Sequence, residues 1–190
     1  MPSSESDIGY LQAALPILKD FLLSGDIYWS LGSAPPPGEP AHPQLTLGGV
    51  LLTQKRLQAR RRAQKAVEPI SRLEAELERI QLKMRVSWEQ KASREFGARL
   101  RLWRDFLVDY RSEPENHADR YAYEVTRRVM LALLEPHSPN LPPAEVELLH
   151  GLDELLRAVI LRGDFIWEAE LAAGFPESIY WYLYGRLRVS

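Results

Sequence analysis

The chain has 190 residues, 45% of them hydrophobic and 26% charged, with a formal net charge of −2 and no cysteine. This is ordinary globular composition with enough chain for one sizeable core, and it carries no global field that would draw nucleic acid or anionic membrane. The lack of cysteine excludes disulfides, thiol nucleophiles and cysteine-based zinc sites.

The polar, acidic start, Met1 to Tyr10, lacks the basic-then-apolar build of a signal peptide. The strongest apolar runs, Leu45–Leu52 and Val129–Leu134, are far short of the ~20 residues a membrane-spanning helix needs. A cytoplasmic location without membrane attachment is the expectation.

Asp7 is placed to cap a first helix, on which Ile8, Leu11, Leu15, Leu18 and Leu22 form a stripe. Pro16 either kinks that helix or starts it. Ser24-Gly25 ends it, glycine suiting a left-handed residue beyond the last turn. A short helix is expected from Asp26 to Leu31. Residues 32–44 hold five prolines and two glycines, an extended connector rather than a polyproline ligand.

Thr46 is placed to cap a second helix running to about Lys65, with Leu52, Ala59, Ala63 and Ala66 on one face where another helix can approach closely. Gly48-Gly49 at its start offers amides to an anion, although close packing is the preferred reading. Glu68-Pro69 interrupts the pattern. A tight turn near Val67 is preferred to a kinked continuous helix at 66–69.

The third helix, Pro69 to Arg111, is the clearest element. Its apolar positions begin Ile70, Leu73, Leu77, Ile80 and Met84, then continue Trp88, Ala92, Phe96, Leu100, Trp103, Leu107 and Tyr110. From Ile80 to Leu100 every step is four, so the stripe moves around the helix and the two halves must bury different faces. At its full length it would span about 65 Å, long enough to project or to meet another subunit.

Ser112 and Glu115 have capping-box spacing for a fourth helix, about Asp119 to Leu134. A fifth opens at Pro143 and runs to Gly163. A short helix from Asp164 to Ala172 and a last one after Pro176 complete the chain. Residues 179–189 also alternate as a strand would, and helix is preferred because no second strand offers itself as partner.

The fold class expected is all-α: one domain over 1–190, with a 46–111 antiparallel helical hairpin as an arm and a small body formed by the N- and C-terminal helices. Residues 18–29 and 156–167 echo one another, sharing Gly25/Gly163, Asp26/Asp164 and Trp29/Trp167. Helix stops followed by N-caps explain the echo better than a pair of catalytic carboxylates.

No nucleotide loop, Rossmann glycine pattern or nucleophile elbow is present. His42, His117, His137 and His150 are spaced too widely for a two-histidine metal face, and Glu115, His117 and Asp119 read as a helix start rather than a ligand set. No metal or cofactor is expected. Lys55, Arg56, Arg60, Arg61, Arg62 and Lys65 place six cations in eleven residues, a candidate nucleic-acid surface. They circle the helix without interleaved aromatics, and pairing with the acids at 68–78 is the competing reading.

Aromatics concentrate near the ends, at Tyr28, Trp29, Trp167, Tyr180, Trp181, Tyr182 and Tyr184. Most of these are expected to pack in corners. The favoured function is a non-enzymatic protein-interaction or self-association module using the long helix, with Trp88, Phe96 and Trp103 as interface candidates. Nucleic-acid binding comes second, and an enzyme with an unrecognised helical site third.

Overall fold

A computed structural model describes residues 2–32, 41–64 and 70–189, and the side chains at 62–64 lie outside that description. Lys65, the 66–69 junction and most of the Pro-rich connector therefore lie outside the described residues. Helices dominate what is described, joined by one small two-stranded sheet.

Helix α1 (Ser4–Ala14) is capped by Ser3, whose Oγ accepts the Ser6 amide at 3.1 Å. Asp7, expected at that cap, lies inside the helix at 1% exposure. Pro16 sits in a 3-10 turn, Leu15–Ile17, that joins α1 to α2 (Leu18–Leu23), which is the expected kink. No left-handed glycine ends α2. Ser24 Oγ donates to Phe21 O, and Lys91 donates its Nζ to Ser24 O and Asp26 O, satisfying carbonyls at and beyond the helix end.

The expected helix at Asp26–Leu31 does not form. Trp29 and Leu45 instead exchange two backbone hydrogen bonds of 3.0 and 2.8 Å, which satisfies the strands of chain entering and leaving the Pro-rich segment.

Helix α3 (Leu47–Gln64) starts on the expected Thr46 cap, with the Gly49 amide 3.0 Å from Thr46 Oγ1. It is buried almost all round, through Leu47, Val50, Leu52, Leu57 and Ala59, and so is the central helix rather than an arm. Its small-residue face works as expected at Ala59. Gly174, in a 3-10 turn at Ala169–Gly174, comes so near that a Cβ on it would lie 2.4 Å from Ala59 Cβ.

The long third helix is two helices, α4 (Ile70–Lys83) and α5 (Arg85–Ser112), meeting at Met84 with φ −113° and ψ 29°. The hydrogen-bond ladder continues across, Met84 N to Ile80 O and Trp88 N to Met84 O, both 2.8 Å. The bend falls within the run of four-residue steps. Helix α4 buries Ile70, Leu73, Leu77 and Ile80 and touches α1 and the Leu15–Ile17 turn, while α5 packs chiefly on α7 (Tyr121–Leu134). The two halves do bury different faces.

The capping box at Ser112 and Glu115 does not form. Pro114, which needs no amide partner, opens α6 (Pro114–His117), and Glu113 Oε2 takes the Asn116 side-chain amide instead. Helix α8 (Pro143–Val159) stops four residues earlier than expected, and Ile160–Phe165 forms β1. After a short α9 (Glu177–Tyr180), residues Tyr184–Leu187 form β2 in place of the expected helix.

The strands run antiparallel, with Ile160 opposite Leu187, Leu161 opposite Arg186 and a bulge between Arg162 and Phe165. Strand β2 lacked a visible partner in the sequence because that partner was read as the end of a helix. The echo is thereby broken: Gly25 and Asp26 follow a helix, Gly163 and Asp164 lie in β1, and both aspartates are exposed. No helix among the described residues is long and apolar enough to cross a membrane.

Candidate functional site

Charged residues sit on faces that helical spacing assigns to the core. Asp7, Leu11 and Ala14 follow at i, i+4 and i+7 on α1, and Trp88, Ala92, Glu95 and Arg99 follow at i, i+4, i+7 and i+11 on α5. Arg56 and Arg60 occupy one side of α3. All five charged partners in this layer, Asp7, Arg56, Arg60, Glu95 and Arg99, are at most 8% exposed. Burying them requires each to find a partner.

They find one another. Arg56 grips Asp7 in a fork, Nε to Oδ2 at 2.9 Å and Nη2 to Oδ1 at 2.5 Å, and Nη2 also reaches Thr53 Oγ1. Arg60 adds a bond from Nη1 to Asp7 Oδ2 at 2.6 Å and reaches Glu170 Oε1 through Nε. On α5, Arg99 donates Nε to Glu95 Oε1 at 2.6 Å and Nη2 to Thr46 Oγ1 at 2.8 Å.

Glu95 also accepts the Gly48 amide on both oxygens at 3.0 Å. The anion at the start of α3 is therefore the protein's own carboxylate. Gly48 must be glycine for this, since a Cβ there would lie 2.7 Å from Glu95 Oε1.

Between these pairs lies a cavity of about 530 Å³, walled by α1, α3, α5 and α7. Its polar end is built from Tyr10, Thr46, Thr53, Arg56 and Arg99. Leu52 and Met130 supply apolar wall, and Tyr28 and Tyr123, 45% and 75% exposed, stand at its mouth. The Nη1 atoms of Arg56 and Arg99 make no hydrogen bond among the described residues.

Tyr10 is 3% exposed, yet its hydroxyl has no hydrogen-bond partner. Burial pushes that hydroxyl up from its ordinary pKa, partly offset by the Thr46 backbone, so it stays protonated and able to donate. The polar end of the cavity is thus walled by two guanidiniums held by carboxylates and by Tyr10, whose hydroxyl is turned against Gly49 and sealed from solvent.

The residues singled out in the sequence fall elsewhere. Trp88, Phe96 and Trp103, expected at an interface, are core residues at 1% exposure or less. Of the six cations proposed as a nucleic-acid surface, Arg56 and Arg60 are consumed by buried ion pairs. Arg61 pairs with Glu74 at 2.7 Å, as the competing reading expected, and Lys55 lies 5.8 Å from the Tyr180 ring centroid. The side chain of Arg62, and Lys65 altogether, lie outside the described residues. Among the described residues no group of three or more His, Asp or Glu is arranged to hold a metal ion.

The terminal aromatics pack as corners. Trp167 meets Phe175, Phe175 meets Tyr180 and Tyr180 meets Tyr182 in edge-on contacts of 5.1 to 6.1 Å. Sequence reasoning missed Tyr10, Glu95 and Arg99. The signal that finds them is a charged or polar side chain on the apolar face of a helix. Comparison with protein-family models, with curated proteins and with solved structures returns no match for this chain.

Proposed function

We propose that this protein is a non-enzymatic binding module that takes its ligand in the cavity between α1, α3, α5 and α7. The observation that carries the reading is the pair of buried arginines, Arg56 and Arg99, each anchored by a carboxylate and both lining the polar end of one cavity whose other wall is apolar. The volume falls within the range of small-molecule sites, and convergent donors on an apolar wall are how such sites orient a ligand.

Recognition fits the lining better than turnover. Arginine, threonine and a tyrosine held protonated do not supply a general base at neutral pH. The nearby carboxylates of Asp7 and Glu95 are already committed to guanidiniums. The ligand therefore presents oxygen acceptors to the polar end and an apolar body to Leu52 and Met130.

The test is a thermal-shift screen of the full chain against small organic acids, amides and phosphate esters. Binding raises the melting temperature by mass action. Thr126 lines the cavity, and Thr126→Trp fills it. Stabilisation that saturates in the wild type and disappears in Thr126→Trp supports the reading. No stabilisation, or stabilisation that survives the plug, removes it.

A second reading, self-association, rests on Leu82 and Val86. They lie one turn apart at the α4–α5 bend, 72% and 67% exposed. Light scattering on the wild type and on Leu82→Glu checks it. A dimer that dissociates in the variant supports it, and a monomer at all concentrations ends it.

A further inference from the structure

We propose that the outer face of the α4–α5 bend pairs antiparallel with the same face of a second copy, about a two-fold axis at Met84. This rests on self-association at Leu82 and Val86 and adds the partner face, its direction and its register.

Six residues define the face. Ala75, Arg79, Leu82, Val86, Glu89 and Ser93 follow at steps of 4, 3, 4, 3 and 4, the spacing of a coiled-coil seam. At about 100° per residue they occupy a sector of about 80°, opposite the buried Leu73, Leu77, Ile80 and Trp88. The hydrogen bonds from Met84 N to Ile80 O and from Trp88 N to Met84 O carry that phase across the bend. Ala75, Arg79, Leu82 and Val86 are exposed, and Glu89 and Ser93 are half-buried.

The face is its own complement. Leu82 and Val86 lie two positions either side of Met84, Arg79 and Glu89 five, and Ala75 and Ser93 nine. An antiparallel partner turned about Met84 therefore sets Leu82 against Val86, Arg79 against Glu89 and Ala75 against Ser93, each twice. Apolar meets apolar at the centre, opposite charges meet beside it, and small residues let the ends approach. A parallel partner in register would set Arg79 against Arg79 and Glu89 against Glu89, which repel.

The surrounding charges permit this contact. Lys83 and Arg85 fall about 80° to either side of the centre of the stripe, where long side chains reach water past the partner. Arg79 meets Glu76 at 3.4 Å and Arg85 meets Glu89 at 2.7 Å within one copy. Surface pairs of this kind hold the fold weakly, so a partner can share Arg79 and Glu89. The paired stretch is about 27 Å long. With two apolar side chains from each copy at its centre, the dimer is weak and concentration-dependent.

Arg79 and Glu89 are about 15 Å apart along one helix and do not touch within a copy, so exchanging their charges reads only the contact between copies. The experiment is sedimentation equilibrium on the full chain, as wild type, Arg79→Glu, Glu89→Arg and Arg79→Glu/Glu89→Arg. The expected result is a wild-type dimer, weakened by about tenfold or more in each single variant and restored to within about threefold in the double variant. A second measurement does not depend on charge. The chain has no cysteine, so mild oxidation of an equal mixture of Leu82→Cys and Val86→Cys reports the register directly. The mixed disulfide is expected in excess of the share that random pairing gives. A dimer that the double variant does not restore, or an excess of the two homodisulfides, overturns the antiparallel register and leaves self-association standing. A wild type that is monomeric at every concentration overturns both.

Discussion

Arg56 and Asp7 are 49 positions apart in the chain and joined by two parallel hydrogen bonds in the core. The pair ties α1 to α3 and sets the angle at which Arg56 meets the cavity. Removing one partner of such a buried pair leaves a charge with nothing to offset its desolvation. Asp7→Ala strands Arg56 and takes from Arg60 one of its two carboxylates, and is expected to destabilise the fold by about 3–5 kcal/mol in urea unfolding. The double variant Asp7→Leu/Arg56→Met is expected to lose less than Asp7→Ala alone.

Gly174 lets the Ala169–Gly174 turn approach α3 closely at Ala59. With a Cβ placed 2.4 Å from Ala59 Cβ, Gly174→Ala must push the Ala169–Gly174 turn away from α3. A cost of about 1–3 kcal/mol is expected, the usual range for overpacking a core. Adding Ala59→Gly opens the same space and should recover part of the loss in a double-mutant cycle.

Much of this architecture was legible in the sequence, and the reason is periodicity. Ile70, Leu73, Leu77 and Ile80 declared one face of α4, and the run of fours from there onward located the change of face that the structure realises as a bend at Met84. Thr46 and Ala59 announced a cap and a close approach because both depend on local chemistry.

What failed depended on partners distant in the chain. Asp7 near a helix start looks like a cap whether or not Arg56 waits in another helix. β2 could not be read as a strand while Ile160–Phe165 looked helical. The cavity was hidden for the same reason, since Tyr10, Arg56 and Arg99 belong to three different helices.

His137 supplies a pH test. It is half-buried, 3.3 Å from Gln81 Nε2 and edge-on to Trp88 with ring centroids 5.8 Å apart. Burial lowers its pKa below the ordinary 6.5, and the Glu89 charge opposes this in part. Above pH 6.5 neither state holds the extra proton and stability is unaffected. As pH falls through 6.5 the unfolded chain takes the proton first, so stability declines until the folded pKa is passed. Histidine NMR titration is expected to place His137 below 6.5, and His137→Gln should flatten the acid side of the melting-temperature profile.

Gly48 links stability to the cavity. Gly48→Ala would place its Cβ 2.7 Å from Glu95 Oε1 and 3.1 Å from Arg99 Nε. The expected outcome is a loss of about 1–3 kcal/mol together with weaker ligand binding, because the Arg99 guanidinium must move with its carboxylate. Calorimetric titration and thermal melting on one sample check both. Gly151, inside α8, where a Cβ would meet nothing within 4 Å, is the control: Gly151→Ala should leave ligand binding at the wild-type level and raise stability by about 0.5–1 kcal/mol, as alanine for glycine does in a helix interior.

The most direct measurement is an NMR titration of the isotopically labelled full chain with the compound that most raises its melting temperature in the thermal-shift screen, following backbone amides and arginine Nε–H signals. The account predicts saturable shifts at Thr46, Gly49 and Thr53 and at the Nε–H of Arg56 and Arg99, with exposed arginines such as Arg104 and Arg111 unmoved. Shifts confined to exposed arginines, or no saturable shift at all, would contradict it.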